Sequence, residues 1–148
     1  MKRFNIRVYG ILINDRNELL VSDELIKGLQ FTKFPGGGLE WGEGTMDCLK
    51  REFMEELSQP IDVVEHFYTT DYFQQSAFRD EDQLMSLYYR VQMIGPQVFT
   101  TKSVPFDFPD PSLQQAEVHR WIKVSDLNTD NFRWPVDKRV VKMIRELS

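Results

Sequence analysis

The chain has 148 residues, 41% of them hydrophobic, enough for one real core and too few for two, so a single domain over 1–148 is expected. A net charge of −5, a pI near 5.1 and the lack of any Lys/Arg-rich run argue against stable nucleic-acid binding, and mean that phosphates handled here would need metal ions beside them. One cysteine, Cys48, allows no internal disulfide, no apolar run is long enough for a membrane span, and the start MKRFNIRVYGILIND alternates instead of forming a signal-peptide block, so a cytoplasmic location is expected.

From Phe4 to Ile13 the chain is rich in Ile, Val and Tyr, with Phe4, Ile6 and Val8 alternating against Asn5 and Arg7, which predicts a strand that becomes fully buried at Gly10 to Ile13. Asn14-Asp15-Arg16-Asn17-Glu18 reads as a turn and Leu19-Leu20-Val21 as the returning strand of an antiparallel hairpin. A polar connection from Ser22 to Gln30 leads to the extended piece Phe31-Thr32-Lys33-Phe34-Pro35, where the residue before proline is biased to β conformation. Gly36, Gly37 and Gly38 follow as a turn. Thr45 or Gly44 is placed to cap a helix with Asp47 in its first turn and Met46, Leu49, Phe53 and Leu57 on one stripe, ending near Ser58 because Pro60 cannot continue it. Ile61 to Phe73 and Gln83 to Ile94 form a long β-hairpin around the polar stretch Gln74 to Asp82. Gly95 to Ser112, with Pro96, Pro105, Pro109 and Pro111, is a long loop holding a short strand at Val98 to Thr101. Glu117 to Val124 is another strand and Ser125-Asp126-Leu127 a turn. Pro135 opens an amphipathic C-terminal helix with Val136, Val140, Met143, Ile144 and Leu147 on its apolar side.

The chemistry concentrates between Gly36 and Leu57. Glu52, Glu55 and Glu56 lie at i, i+3 and i+4, on one helical face. Such a run is usually a solvated face, but three crowded carboxylates also suit a hard cation such as Mg²⁺, Mn²⁺ or Ca²⁺. The glycines before them, with Glu40 and Glu43 just upstream and Arg51 eight residues after Glu43, join loop and helix into one unit.

This segment resembles the Nudix box, Gly-x5-Glu-x7-Arg-Glu-U-x-Glu-Glu-x-Gly-U, in which U is a bulky aliphatic residue. Gly37, Glu43, Arg51, Glu52, Glu55 and Glu56 fall in register and Phe53 takes the first bulky position, whereas Ser58 and Gln59 depart from it. Ser58 alters the helix C-terminal cap, and Ile61 is placed to fill the missing apolar position. Outside the box the hairpin, the long strands, the Glu117 to Trp121 strand followed by Val-Ser-Asp-Leu, and the terminal helix follow the same family. The resemblance implies an α+β fold, an α/β/α sandwich with a mixed sheet between helices. It also implies hydrolysis of a nucleoside diphosphate linked to a group X, by water attack at phosphorus with Mg²⁺ or Mn²⁺. By position, Glu52, Glu55, Glu56 and a backbone carbonyl near Gly37 are the metal ligands, and Glu43 and Arg51 the scaffold. The general base is Glu52, Glu117, Glu81 or Asp82, with Glu117 the first choice outside the box, as base or as further ligand. The family often forms dimers, so a homodimer is compatible. A nucleotide sensor without turnover is the alternative function, and a calcium loop of the D-x-[DN]-x-[DN]-G type is absent from the sequence.

Other residues read as packing or surface. His66 and His119 sit in strands at no metal-ligand spacing, and Cys48 is a small packing residue. Trp41, Tyr72, Phe73 and Trp134 could stack on a base but read mostly as core, as do Phe34 and Trp121. Signals for X do not emerge: Gln74 stands where ADP-ribose hydrolases carry proline, Tyr72 is only near the dinucleoside polyphosphate tyrosine, and Ser58-Gln59-Pro60 breaks off from the NADH pyrophosphatase signal.

Overall fold

Among the described residues, branched and aromatic runs broken by Gly and Asn turns build seven strands, and two amphipathic segments build helices. In order these are β1 (Arg3–Leu12), β2 (Glu18–Ile26), β3 (Leu29–Lys33), β4 (Gly36–Gly38), α1 (Thr45–Leu57), β5 (Ile61–Thr69), β6 (Asp82–Met93), β7 (Gln115–Lys123) and α2 (Pro135–Leu147), with single 3-10 turns at Val124–Asp126 and Thr129–Asn131. The structure, a computed structural model, describes residues 1–110 and 112–148. The two helices and two sheets among these described residues are the α+β class expected. The chain divides into two compact units, Met1–Ile11 with Gly36–Val98 and Leu12–Pro35 with Phe99–Ser148.

The first unit holds a four-stranded sheet in the order β4-β1-β6-β5. The glycines expected to turn instead pair with β1, Tyr9 opposite Gly36 and Arg7 opposite Gly38. α1 packs its Leu49, Phe53 and Leu57 inward, but Met46 at its start is exposed. The Phe53 ring lies in the space a side chain at Gly10 would need, which seats the helix on β1. Fully burying each such side chain contributes about 1.5–3 kcal/mol. Gly44 caps α1 without a side-chain bond, and Ser58 closes it in the left-handed region. Gln59, where the family has an apolar residue, is fully buried: its amide donates to the Pro60 and Ile94 carbonyls and its oxygen accepts from Val98 N. Ile61 is buried as expected. The β5–β6 hairpin forms, but β5 ends at Thr69 and not at Phe73.

The second unit holds the sheet β3-β2-β7 and α2. The Asn14–Glu18 turn forms, with a bridge from Ile13 to Leu19, yet β1 and β2 enter different sheets, so the predicted opening hairpin stops at that bridge. β2 does not end at Val21. It runs to Ile26 and turns through Lys27 and Gly28, both at positive φ, into β3, the two-residue geometry that suits a twisted hairpin. Its Ser22, Asp23 and Glu24 are strand residues, Asp23 bound by Thr32 and Arg120 and Glu24 paired with Lys33, not a polar connection. No strand forms at Val98 to Thr101; among the described residues that loop makes only a single bridge, Lys102 with Arg120. Pro111, counted in the predicted loop, lies outside the described residues. Phe34 stacks on Phe132 at 5.2 Å, Trp134 meets Phe31 edge-on at 5.1 Å, and Trp121 lies 6.1 Å from Phe99. α2 buries Val136, Val140, Val141 and Ile144, and leaves Leu147 exposed.

Candidate active site

The glycine strand and α1 meet through one contact that explains why the residue must be glycine. A Cβ added at Gly37 would collide with the Glu52 carboxylate, so the missing side chain is the cradle in which Glu52 rests. Gly36 has φ +148°, and a Cβ there would strike the Val8 carbonyl. Between strand and helix, Glu40 N donates to Glu43 Oε1 at 3.0 Å and Glu43 N to Glu40 O at 3.3 Å, folding the loop back on itself.

Arg51 is the hub. It clasps Glu43 with two bonds of 3.0 and 2.7 Å, donates to Glu52 at 3.0 Å and Glu55 at 3.2 Å, and binds the Gly38 carbonyl at 3.1 Å, with Glu40 3.8 Å away. The clasp holds the Glu43 carboxyl down at about 2, and the same carboxylate, followed by Glu52, drives the Arg51 guanidinium further up. Cys48 lies beneath, its Sγ 3.5 Å from the Gly38 carbonyl, and burial, with Glu43 adding to it, pushes the thiol up to about 12; it is an inert packing residue, as read. One guanidinium therefore faces four acids, and Glu56 adds another on the helix face that carries Glu52 and Glu55. The cluster holds more acids than cations, its donors are all oxygen, and the Gly37 cradle leaves room for the Glu52 carboxylate. These are the features a hard divalent ion requires.

A family model for the NUDIX domain matches residues 3–145. The chain belongs to the Nudix family. Curated proteins give no match. Among solved structures the chain is similar to the ORF135 protein of E. coli (15% identity, 99% of this chain and 91% of that one, TM-score 0.72). It is also similar to the MutT NUDIX hydrolase of Burkholderia pseudomallei (14%, 95% and 98%, TM-score 0.69) and to MutT from methicillin-resistant Staphylococcus aureus 252 (22%, 100% and 100%, TM-score 0.60). At these identities the likeness is one of fold, and the fold matched is the Nudix fold. Family and fold together imply a pyrophosphohydrolase, and Nudix hydrolases generally use divalent metals. No helix among the described residues is long and apolar enough to cross a membrane.

The remaining Nudix candidates separate by surroundings. Asp82 is buried and bound by Arg3 at 2.8 and 3.1 Å and by Arg79 at 2.9 Å, which ties the start of β6 to the start of β1; Arg3 above all holds its carboxyl below the usual range. Glu81 is exposed and pairs with the N-terminus at 2.6 Å and Arg79 at 3.2 Å. Both have anchoring partners in hand. His66 is exposed and bonds Thr69, as a surface residue would. Trp41 stands fully in solvent at the tip of the box loop, and Tyr72 and Phe73 are exposed too, so these three are not core.

In the second unit Glu117 stands on β7 directly opposite Glu24 on β2, and buried Lys33 lies 3.5 Å from Glu24 Oε1 and 3.8 Å from Glu117 Oε2. His119, read from sequence as structural or exposed, is buried two residues along the same face. Its ring nitrogen Nε2 has no hydrogen-bond partner, and burial, then Lys33, lowers its pKa to about 4. Ser22, which register places between Lys33 and His119, has an unpartnered buried hydroxyl as well. Sequence reasoning missed Lys33, Ser22, Glu24 and His119. The signal available was their i, i+2 spacing, which puts Ser22 with Glu24, and Glu117 with His119, on one strand face.

Proposed function

We propose that this chain is a metal-dependent Nudix pyrophosphohydrolase, cleaving the diphosphate of a nucleoside diphosphate linked to a further group. The observation that carries the reading is the anionic, all-oxygen cluster of Glu52, Glu55 and Glu56 on one face of α1, with Glu52 seated over Gly37. Glu52, Glu55, Glu56 and the Gly37 carbonyl would hold Mg²⁺ or Mn²⁺, while Glu43 and Arg51 brace the loop against the helix. What a divalent ion supplies when bound there is neutralisation of the diphosphate oxygens and of the charge that builds on the leaving group. In the reaction a water oxygen bonds to phosphorus, the bridging P–O bond breaks, and Glu117 takes the water proton as general base. Residues 1–148 work in this reading as one domain, in the cytoplasm, on a small nucleotide and without a stable nucleic-acid partner; a homodimer is compatible with it.

The test is turnover of dGTP, diadenosine tetraphosphate, a UDP-sugar and ADP-ribose with Mg²⁺ or Mn²⁺. Glu56→Gln is expected to lower kcat/KM on the order of 10²–10³-fold. Equal turnover by both proteins would remove the assigned site. Tight nucleotide binding with no product over long incubation would instead make the chain a sensor.

A further inference from the structure

We propose that Lys33 is a positioning residue for this reaction, holding the Glu117 carboxylate in place from within the second unit. The inference rests on the reading of Glu117 as the base.

Antiparallel pairing sets Glu24 and Glu117 face to face, an arrangement that is destabilising for two like charges. The chain keeps both, and inserts Lys33 from β3 so that one ammonium lies 3.5 Å from Glu24 and 3.8 Å from Glu117. The ammonium is fixed from behind by donating to the Phe34 carbonyl at 3.3 Å. Exposure divides the roles. The Lys33 side chain is only 6% exposed, whereas the Glu117 side chain keeps 23% of its surface open. Whatever Lys33 does for the chemistry, it does through its carboxylate partners.

A purely stabilising role fits the surroundings less well. Charges brought this far from water give little net stability compared with apolar residues of the same size. The neighbouring positions on that face also leave Ser22 Oγ and His119 Nε2 buried without hydrogen-bond partners, a cost that a cluster selected for stability alone would shed. The opposite face of the same sheet contains a charged pair whose acid is fully satisfied, so the fold is able to build one. The Lys33 face keeps an acid partly open, opposed by a second acid and held by a buried cation. That is how a carboxylate is kept aligned and usable.

A double-mutant cycle on the full chain tests the role, using wild type, Lys33→Met, Glu117→Gln and the pair, with ADP-ribose or whichever other compound of the panel above turns over. Lys33→Met is expected to lower kcat about tenfold with KM nearly unchanged, in the range usual for residues that orient a catalytic group. In the Glu117→Gln background the same change is expected to cost less than about twofold, because its target is gone. Lys33→Arg should recover most of kcat. Lys33→Gln replaces Lys33→Met in the cycle should the latter fail to fold, judged by its melting curve. Equal losses in both backgrounds, or an unchanged kcat in Lys33→Met, would overturn the role of Lys33 alone. A Glu117→Gln protein with wild-type kcat would overturn the base and Lys33 together, and a wild type inert on every compound would overturn the pyrophosphohydrolase reading beneath them.

Discussion

Arg51 and Arg120 are both largely withdrawn from water and both bind acid, yet their charge balances are opposite. Arg51 donates to Glu43, Glu52 and Glu55 and has Glu40 within 3.8 Å, one cation among four acids. Arg120 meets one carboxylate, Asp23, at 2.7 Å, and the remaining bonds of that carboxylate come from neutral groups, Thr32 Oγ1 at 2.7 Å and Phe106 N at 3.1 Å. The second network is closed and neutral, and it joins β2, β3, β7 and the long loop within its unit. The first is an open surplus of negative charge. The same pair chemistry thus serves as a clamp where the charges cancel and as a cation site where they do not.

The largest way to break the contrast is Asp23→Ala. Asp23 is fully buried and the Arg120 side chain only 11% exposed, so removing the acid leaves an uncompensated buried cation. Equilibrium denaturation is expected to show a loss of about 3–5 kcal/mol. Replacing both residues together, Asp23→Leu with Arg120→Met, should recover most of it, because the cost lies in the orphaned charge. Glu56→Gln should do the reverse of Asp23→Ala, removing activity with little change in the denaturation midpoint of the metal-free protein. If Asp23→Ala left the midpoint in place, the clamp would not be one.

Acid separates the two units in a second way. In the first, Glu43 is held at about 2 against an ordinary 4.5, chiefly by its bonds from Arg51. A depressed carboxyl contributes stability that is complete above the unfolded value and is lost as pH falls through the folded one, so this loss belongs to the window from 4.5 down to about 2. Asp82, lowered by Arg3, acts in the same direction. In the second unit, burial lowers His119 from 6.5 to about 4, and the unfolded chain takes up its proton first, so stability falls with pH already between those values. Melting curves of the metal-free protein from pH 7 to 2 should therefore fall in two stages. His119→Gln is expected to flatten the upper stage and Glu43→Gln the lower; a single stage untouched by either would contradict both assignments.

What could be read in the sequence follows from distance along the chain. Gly37, Glu43, Arg51, Glu52, Glu55 and Glu56 lie within one loop and one helix, so their spacing already states the geometry that Arg51 and the Gly37 cradle realise. Both helices follow from local periodicity in the same way, and the α+β class from the family resemblance that the box carries. The second half of β2 was hidden because Ser22, Asp23 and Glu24 are polar, and polar residues read as a connection unless their partners are known. Those partners are remote: Arg120 is 97 residues from Asp23, and Glu117 is brought opposite Glu24 only by strand pairing. Gln59 was legible as a departure from the family pattern but not as a buried amide, since the Ile94 carbonyl and Val98 N it serves lie beyond the next hairpin.

The smallest expected effect lies at the end of the helix that carries the anionic cluster. Ser58 closes α1 at φ 53°, ψ 28°, with its N–H on the Met54 carbonyl at 3.0 Å and the next N–H on Phe53 at 3.4 Å. The left-handed conformation costs a residue with a Cβ about 1–2 kcal/mol, and glycine is free of that cost. Glycine also loses more chain entropy on folding, about 0.5–1 kcal/mol relative to alanine, which offsets part of the gain. Ser58→Gly should therefore stabilise the protein by less than about 1 kcal/mol, read as a small rise in the denaturation midpoint. Because Ser58 carries no charge and bonds the helix end through its backbone N–H, kcat should not move. A large change in kcat would mean that the helix end, and not only the Arg51 hub, sets the positions of Glu55 and Glu56.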